Sequence, residues 1–153
     1  MPQSYLARKN ATLLASSLLW TPYKWGGDDP SGIDCSGFII EILKSVGLLP
    51  YHGDWTAADL FDRFKLMHVT NPSHGDLVFW RKEETNRIVH VEMVWDAALK
   101  LSIGAGGGGP STLDEADAWL HNAYVRVRPY ENRGRPLAGF ASPYHMLSQG
   151  GTE

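Results

Sequence analysis

The sequence contains a single cysteine, no long apolar run and no marked excess of charge of either sign. One cysteine excludes an internal disulfide and a thiolate-rich zinc site. The 14 basic and 17 acidic residues give a formal net charge of -3, which disfavours binding to nucleic-acid phosphates. The longest apolar stretch near the N-terminus, residues 13–20, is interrupted by serines and is far too short to span a membrane.

The length of 153 residues and the hydrophobic content of 43% suffice to close one core. We expect a single domain with its core over residues 4–145 and a frayed tail over residues 148–153. The opening residues, MPQSYLARKN, lack the basic start, apolar run and cleavage site of a secretion signal. We therefore expect a soluble product made in the cytoplasm, which another agent delivers if its target lies outside.

Helices are predicted in the first part of the chain. Leucines at near-helical spacing predict an amphipathic helix over residues 4–19. Its expected buried face carries Leu6, Leu13, Leu14 and Leu18. Asp34 is a good N-cap for a second helix over residues 35–46, and Gly47 is a good stop. Thr56 with Asp59 predicts a short third helix that ends near residue 64.

Strands are predicted after residue 75, over residues 76–80, 88–95, 99–103 and 124–127. Residues 96–98 supply a tight turn, so residue 95 is expected opposite residue 99 and His90 near Gly104. A glycine-rich loop over residues 104–109 follows, and Thr112 with Glu115 predicts a capping box for a helix through residue 120. Helices first and strands later predict an α+β fold with a mainly antiparallel sheet.

Cys35 lies at the first turn of the second predicted helix, flanked by polar residues and glycines. A buried structural thiol is the commoner fate of a lone cysteine, but such a thiol belongs on an apolar stripe. A helix N-terminus presents unpaired N–H groups to a thiolate, and these groups can also bind the oxyanion of acyl transfer. Cys35 is therefore a candidate nucleophile.

A nucleophilic thiol needs a base, and six histidines are available. Five lie in loops, at helix ends or near the tail, where capping or surface roles are expected. His90 lies within the apolar strand predicted over residues 88–95, where a polar ring needs a partner. A thiol on a helix N-terminus and an imidazole on a strand form the arrangement of a papain-like site.

Four segments resemble a known family, the NlpC/p60-type cell-wall cysteine peptidases. Residues 22–27 (PYKWGG) and 32–38 (GIDCSGF) resemble its nucleophile signature, residues 75–80 (GDLVFW) its first sheet strand, and residues 89–91 (VHV) its base motif. The resemblance implies a papain-like fold and hydrolysis of an amide in peptidoglycan stem peptides, often between D-glutamate and the following diamino acid. Cys35 would be the nucleophile and His90 the base, with no cofactor or metal.

The resemblance also implies roles for three residues near the thiol. Tyr23 matches a tyrosine whose hydroxyl points at the site and supports the oxyanion or the substrate, although aromatic packing on the loop explains it equally well. Asp34 and Ser36 match positions that grip a free N-terminal amine of the peptide. Capping of the helix is an equally good role for Asp34.

The family uses a third polar group, His, Asn or Gln, to orient the base, and this sequence departs from that pattern. The matching position is Ser102, predicted on the same face as His90, where its short hydroxyl would act at close range or through water. Glu92 is the alternative, because a residue two along the strand shares the face of His90. Such a carboxylate would raise the imidazole pKa or bind a substrate amine; a solvent-facing charge is its other interpretation.

Two other functions stay open at this point. A non-catalytic wall-binding or phage-tail module with the same fold is compatible with the departure at Ser102. A CHAP-type amidase, which cuts the sugar–peptide bond, is the other alternative, although the Asp-Cys-Ser-Gly context is less like that group. Without a secretion signal, the resemblance favours a phage lysin or a virion-borne peptidase that reaches the wall by lysis or with the virion.

Overall fold

A computed structural model describes residues 2–29, 32–108, 111–121 and 123–149. The helices are α1 (Gln3–Ser17), α2 (Cys35–Ser45), α3 (Ala57–Arg63), α4 (Glu115–His121) and α5 (His145–Gln149), with a short 3-10 helix at Lys65–Met67. The strands are β1 (Asp28–Asp29), β2 (Gly32–Ile33), β3 (His68–Val69), β4 (Leu77–Arg81), β5 (Ile88–Asp96), β6 (Leu101–Gly106), β7 (Tyr124–Pro129) and β8 (Leu137–Ala141).

A six-stranded sheet in the order β3-β8-β4-β5-β6-β7 forms the centre of the fold. Every ladder between its strands is antiparallel. The helix α2 packs on β5 and β6, and apolar side chains of the helix and the sheet form one buried cluster. The predicted α+β class with an antiparallel sheet is therefore confirmed.

The helix α2 begins at Cys35 because Asp34 caps it. The backbone of Asp34 is extended, and its Oδ1 accepts the Gly37 N–H at 2.7 Å. The helix is anchored by a fully buried stripe that comprises Phe38, Ile39, Ile42 and Leu43. Gly47 follows its end with a φ of 80°, the left-handed conformation that glycine adopts without strain. The helix predicted over residues 35–46 is confirmed, and its cap fixes the position of Cys35.

The buried face of α1 matches the predicted one only in part, because Leu14 and Leu18 are partly buried against the core. Ala7, Ala11 and Ala15 are buried, whereas Leu6 is 43% exposed and Leu13 is 59% exposed. Small side chains let α1 pack closely on α2, so the alanines and not these leucines form the contact. The helix also ends at Ser17 rather than at residue 19, and its last serine hydroxyls bond to backbone carbonyls one turn back.

The β5–β6 hairpin has a longer turn than predicted. The strand β6 begins at Leu101 rather than residue 99, and Val94 lies opposite Ser102. The predicted register is thus wrong by two residues, which preserves the face of every side chain. The cause is Asp96, whose Oδ1 accepts the Leu99 N–H at 2.9 Å and so closes a wider loop.

The predicted glycine-rich loop is in part a strand, because β6 continues to Gly106. A Cβ at Gly104 would lie 2.3 Å from Cγ of Glu92, so this strand position has no room for a side chain. A Cβ at Gly106 would lie 2.6 Å from an Arg128 guanidinium nitrogen. Alternate glycines therefore clear one face of β6 for charged side chains of the neighbouring strands. Residue 109 of the predicted loop lies outside the described residues.

The capping box predicted for α3 is confirmed, with both reciprocal hydrogen bonds present at 2.9 and 3.1 Å. The box predicted for the fourth helix is misplaced, because α4 begins at Glu115 itself. The Asp117 N–H donates to Asp114 Oδ1 at 2.9 Å. Asp114 directly precedes the helix, so its carboxylate has the geometry of a cap.

Three features were not predicted from the sequence. They are the sheet edge formed by β3 and β8, the separate two-stranded sheet of β1 and β2, and the helix α5. The strand β8 contains Gly139 with a φ of 148° and lacks the β-branched residues that signal a strand. Of the tail predicted to fray, residues 148 and 149 belong to α5 and residues 150–153 lie outside the described residues. No helix in the described residues has the length and apolarity needed to cross a bilayer.

Candidate active site

A cleft of about 750 Å³ opens beside the first turn of α2 and the first residues of β5. Its walls include five residues that the sequence singled out, namely Tyr23, Asp34, Cys35, Ser36 and His90. The other two, Glu92 and Ser102, are fully buried next to His90. The fold therefore brings all seven predicted site residues into one region.

Cys35 is the first residue of α2 and is partly exposed in the cleft. The loop before it is held by Asp34, whose Oδ2 accepts the Gly26 N–H at 3.1 Å while Oδ1 caps the helix. Ser36 donates its hydroxyl to the same carboxylate at 3.3 Å. This cap leaves the sulfur at the positive end of the helix, where backbone N–H groups face a developing negative charge.

His90 lies on β5 with its ring between Cys35 and Glu92. Its Nε2 donates to Glu92 Oε2 at 2.7 Å, because a carboxylate only accepts. This bond fixes the tautomer with the proton on Nε2, so Nδ1 is the ring nitrogen that can accept the proton of Cys35. Burial lowers the pKa of His90, but hydrogen bonds and charge from Cys35 and Glu92 outweigh it and raise the pKa to about 9.

Glu92 is the centre of a buried hydrogen-bond network, with its side chain only 1% exposed. Oε1 accepts the Ser102 hydroxyl at 2.7 Å and one Arg133 guanidinium nitrogen at 3.2 Å. Oε2 accepts the His90 ring and the other Arg133 nitrogen, at 2.7 and 3.1 Å. Burial raises the pKa of Glu92, but His90 and Arg133 outweigh it and hold the pKa well below its usual range.

Ser102 and Glu92 were the two alternatives for the group that orients the base. The structure places Glu92 against the ring, and Ser102 is one step further away, bonded to Glu92. The register explains this, because Ser102 lies opposite Val94 and the space across from Glu92 belongs to Gly104. The carboxylate on β5 thus occupies the room that a side chain on β6 would need.

Two cations of this network were not predicted from the sequence. Arg133 lies on the loop after β7, and Arg128 on β7 lies 3.6 Å from Glu92 Oε2. The sequence did indicate that Glu92 has a cationic partner, because a carboxylate within an apolar strand needs one. Residues 126–135 offer four arginines for this role. The sequence alone does not say which arginine turns inward.

Tyr23 lines the cleft with only 5% of its surface exposed. Burial raises the pKa of its hydroxyl, and the charges of Cys35 and Asp34 raise it further, so the group stays a neutral donor. A Cβ at Gly108 would lie 2.2 Å from the Tyr23 ring, so the glycine lets the backbone after β6 pass close to the ring. Both the packing role and the donor role proposed from the sequence are compatible with this placement.

The cleft wall is rich in basic side chains, of which Lys82, Arg87 and Arg135 form no ion pair within the described residues. Asp34 is the acidic side chain among the described lining residues. Burial raises the pKa of Asp34, although the Gly37 and Gly26 N–H groups oppose this. In the described part of the chain no three His, Cys, Asp or Glu side chains are grouped to hold a metal ion. An anionic ligand fits this wall.

The profile of the NlpC/P60 family matches residues 20–131, and the chain belongs to this family. The matched region contains the cap, the thiol, the imidazole and the carboxylate described above. Arg133 lies just beyond it.

Curated relatives share the central part of the chain. It is 42% identical over 69 residues to the probable peptidoglycan endopeptidase LytE of Bacillus subtilis, which covers 43% of this chain and 18% of that protein. It is 31% identical over 117 residues to dipeptidyl-peptidase 6 of Lysinibacillus sphaericus, which covers 74% of this chain and 39% of that protein. The chain thus spans well under half of these relatives.

Solved structures share the fold. An NlpC/P60 family protein from Bacillus cereus has a TM-score of 0.68 at 22% identity, over 88% of this chain and 39% of that one. The P60 domain of an antigen from M. avium subspecies paratuberculosis has a TM-score of 0.63 at 23% identity, over 90% and 94% of the two chains. The papain-like architecture expected from the sequence is confirmed.

Proposed function

We propose that the chain is a cysteine peptidase that hydrolyses an amide bond in peptidoglycan stem peptides. The observation that carries the proposal is that the Cys35 thiol and the His90 imidazole line one cleft at the N-terminus of α2, with Glu92 hydrogen-bonded to the imidazole. Family membership and the names of the curated relatives, a peptidoglycan endopeptidase and a dipeptidyl-peptidase, support the same substrate.

In the acylation step, the sulfur of Cys35 attacks the amide carbonyl carbon and the carbonyl π electrons move onto oxygen. The thiol proton passes to Nδ1 of His90, which gives it to the leaving nitrogen as the C–N bond breaks. Backbone N–H groups at the start of α2 stabilise the oxyanion, and the neutral hydroxyl of Tyr23 is a second donor. The products are a thioester and a free amine.

In the deacylation step, His90 accepts a proton from water, and the resulting hydroxide attacks the thioester carbon. The C–S bond breaks, the proton on His90 returns to the sulfur, and the product leaves as a carboxylic acid that ionises in solvent. Glu92 stays ionised throughout and stabilises the imidazolium that forms in each half-reaction. We therefore assign Glu92 as the positioning residue, with Ser102 acting on it.

We place the cleaved bond between D-glutamate and the following diamino acid. A glutamyl residue linked through its side chain keeps a free carboxylate, and the cations Lys82, Arg87 and Arg135 face the cleft that would hold it. Asp34 and Ser36 lie beside the sulfur and suit a free N-terminal amine. Both binding assignments rest on this charge pattern.

Incubation with purified sacculi and with soluble muropeptides, followed by mass analysis of the products, tests the proposal. We expect cleavage after D-glutamate by the wild type and none by Cys35→Ala or His90→Ala, with circular dichroism unchanged. Full turnover by either variant would overturn the assignment. Release of intact stem peptides from the glycan would indicate an amidase instead. Amidation of the glutamyl carboxylate should raise KM, because it removes the charge that the cleft wall binds.

The non-catalytic alternative was motivated by the absence of His, Asn or Gln at position 102. The structure supplies a different partner for the ring, because Glu92 accepts from Nε2 at 2.7 Å. The reason for favouring a binding module over an enzyme is therefore removed.

A further inference from the structure

We infer that Arg133 is a positioning residue of this site, acting through Glu92 to set the orientation and basicity of His90. The inference rests on the proposed function, in which His90 transfers the protons. Arg133 lies outside the matched family region and 41 residues from Glu92 in sequence.

Every donor group of the Arg133 guanidinium is engaged. The Nη1 and Nη2 groups form a fork on the two oxygens of Glu92 at 3.1 and 3.2 Å, and Nη2 also donates to Ser102 Oγ at 3.2 Å. The Nε group donates to the Pro129 carbonyl at 2.5 Å. A two-point fork fixes the plane of a carboxylate as well as its place, which a single point charge does not.

The same guanidinium is packed against the aromatic wall of the site. Its Cζ lies 5.1 Å from the centre of the Trp80 ring, and the Trp80 ring lies 5.1 Å from the ring of His90. The Arg133 side chain is only 14% exposed. Arg133 and His90 thus contact the same tryptophan and the same carboxylate, so displacement of one disturbs the other.

Charge gives Arg133 a second effect. The charged groups that face Glu92 are His90 on its own strand, Arg128 on β7 and Arg133 on the following loop, while Cys35 on α2 faces the other side of the imidazole. A buried carboxylate without a cation would hold an imidazolium so firmly that the leaving group could not take its proton. The positive charge of Arg133 offsets this attraction.

The test compares Arg133→Met, Arg133→Lys and the wild type on soluble muropeptides and, without any substrate, by the rate of alkylation of Cys35 with iodoacetamide across pH. For Arg133→Met we expect kcat to fall about 10- to 100-fold with little change in KM. The alkaline side of both pH profiles should shift to higher pH by about one unit, because loss of a nearby positive charge favours the imidazolium and so raises the pKa of His90. Arg133→Lys keeps the charge and loses the fork, so kcat should fall while the alkaline side of the profiles stays in place.

The matched control is Arg63→Met, because Arg63 also lies over a tryptophan, 5.4 Å from the Trp55 ring, but on α3. It should leave kcat and both profiles unchanged. In a Glu92→Gln background, Arg133→Met should have little further effect on kcat, since the carboxylate through which Arg133 acts is gone.

Unchanged pH profiles in Arg133→Met, with activity lost only in proportion to the unfolded fraction, would overturn the inference. Additive losses in the double variant would also overturn it. If the wild type cleaves no muropeptide, the proposed function fails, but the alkylation profiles still decide whether Arg133 controls His90.

Discussion

Two buried carboxylates in this molecule are held by the same set of groups. Glu92 is bound by Arg133, with a serine hydroxyl beside it and the guanidinium packed on Trp80. Asp76 is bound by Arg8 at 2.7 Å, and the second nitrogen of Arg8 donates to a serine hydroxyl at 2.9 Å. The guanidinium of Arg8 lies 4.5 Å from the centre of a tyrosine ring. Both sites thus contain an arginine, a carboxylate, a serine and an aromatic ring.

The sites differ in what else they hold. Arg8 bonds to Oδ1 of Asp76, and the other carboxylate oxygen, Oδ2, accepts the backbone N–H of Ser73 at 2.8 Å. Arg8 also donates to the His74 carbonyl at 2.8 Å. These partners are backbone groups, so the pair joins α1 to the turn before β4. The corresponding oxygen of Glu92 holds an imidazole that faces a cleft. The same kinds of group therefore have a structural role at Asp76, where the remaining partners are backbone groups. At Glu92 the remaining partner is an imidazole, so the proposed role there is proton transfer.

The largest expected effect is the loss of activity in Glu92→Gln. The amide keeps the size of the side chain but removes the charge that stabilises the imidazolium, so kcat should fall by at least about 100-fold. The alkaline side of the pH–activity profile should also shift to lower pH, because the carboxylate no longer raises the pKa of His90. Steady-state kinetics from pH 6 to 10 measure both. A variant with more than half of wild-type kcat would show that Glu92 does not serve the ring.

Asp76→Asn should show the opposite pattern. Loss of one partner leaves Arg8 without its buried counter-charge, and the free energy of unfolding should fall by about 3 kcal/mol. Urea denaturation measures this loss, and kcat per folded molecule should stay at the wild-type value. A fall in kcat beyond the unfolded fraction would mean that the two sites are less separate than their geometry indicates.

Gly104→Ala should disturb the catalytic pair alone. The new Cβ would lie 2.3 Å from Cγ of Glu92, in the middle of its side chain, so the carboxylate must shift and kcat should fall about 10-fold. Gly106→Ala is the comparison, because its Cβ would meet the flexible tip of Arg128 at 2.6 Å. Kinetics of the two variants should rank them in that order, and equal losses would contradict the explanation.

The pH dependence of stability separates the sites further. The pKa of His90 is raised from 6.5 to about 9 in the folded state, so the folded protein binds the extra proton more tightly than the unfolded chain. This stabilisation is fully present below about pH 6.5 and is lost as pH rises through about 9. The stability difference between wild type and His90→Gln should therefore shrink over that window. Ser142→Ala, which removes no titratable group, should differ from wild type by a constant amount.

The smallest effects are expected from the two serines. Ser102→Ala removes one hydrogen bond to Glu92 but leaves the Arg133 fork, so kcat should fall only a few-fold while stability falls by about 1 kcal/mol. Ser142→Ala removes the acceptor for Arg8 and should cost a similar free energy without any change in kcat. Thermal unfolding and kinetics on both variants test this, and a kinetic effect in Ser142→Ala would break the distinction.

The sequence predicted those parts of the site that depend on local spacing. Asp34 capped the helix as expected, which placed Cys35 at its first turn. Glu92 lies two residues from His90, so the alternation of a strand was enough to put both on one face. The roles of these residues stay predictions until activity is measured.

The parts that were missed depend on contacts between distant segments. Ser102 was placed too close to His90 because the Asp96 carboxylate closes a longer turn and moves the register by two residues. Arg133 lies on an irregular loop, where no periodicity indicates which arginine points inward. Leu6 and Leu13 of α1 were expected on its buried face because they are apolar, but smaller alanines of the same helix occupy its most buried positions.

The glycines of β6 lower the stability of the strand, but they leave room for the ionic network around Glu92. Each glycine within a strand lowers conformational stability by roughly 0.5–1 kcal/mol compared with alanine, and Gly104 and Gly106 both lie where a Cβ would strike a neighbour. Attempts to make a more heat-resistant variant by replacing strand glycines would therefore fail here. Gains in thermal tolerance must be sought elsewhere, for instance at the exposed leucines of α1, where no reacting group is near.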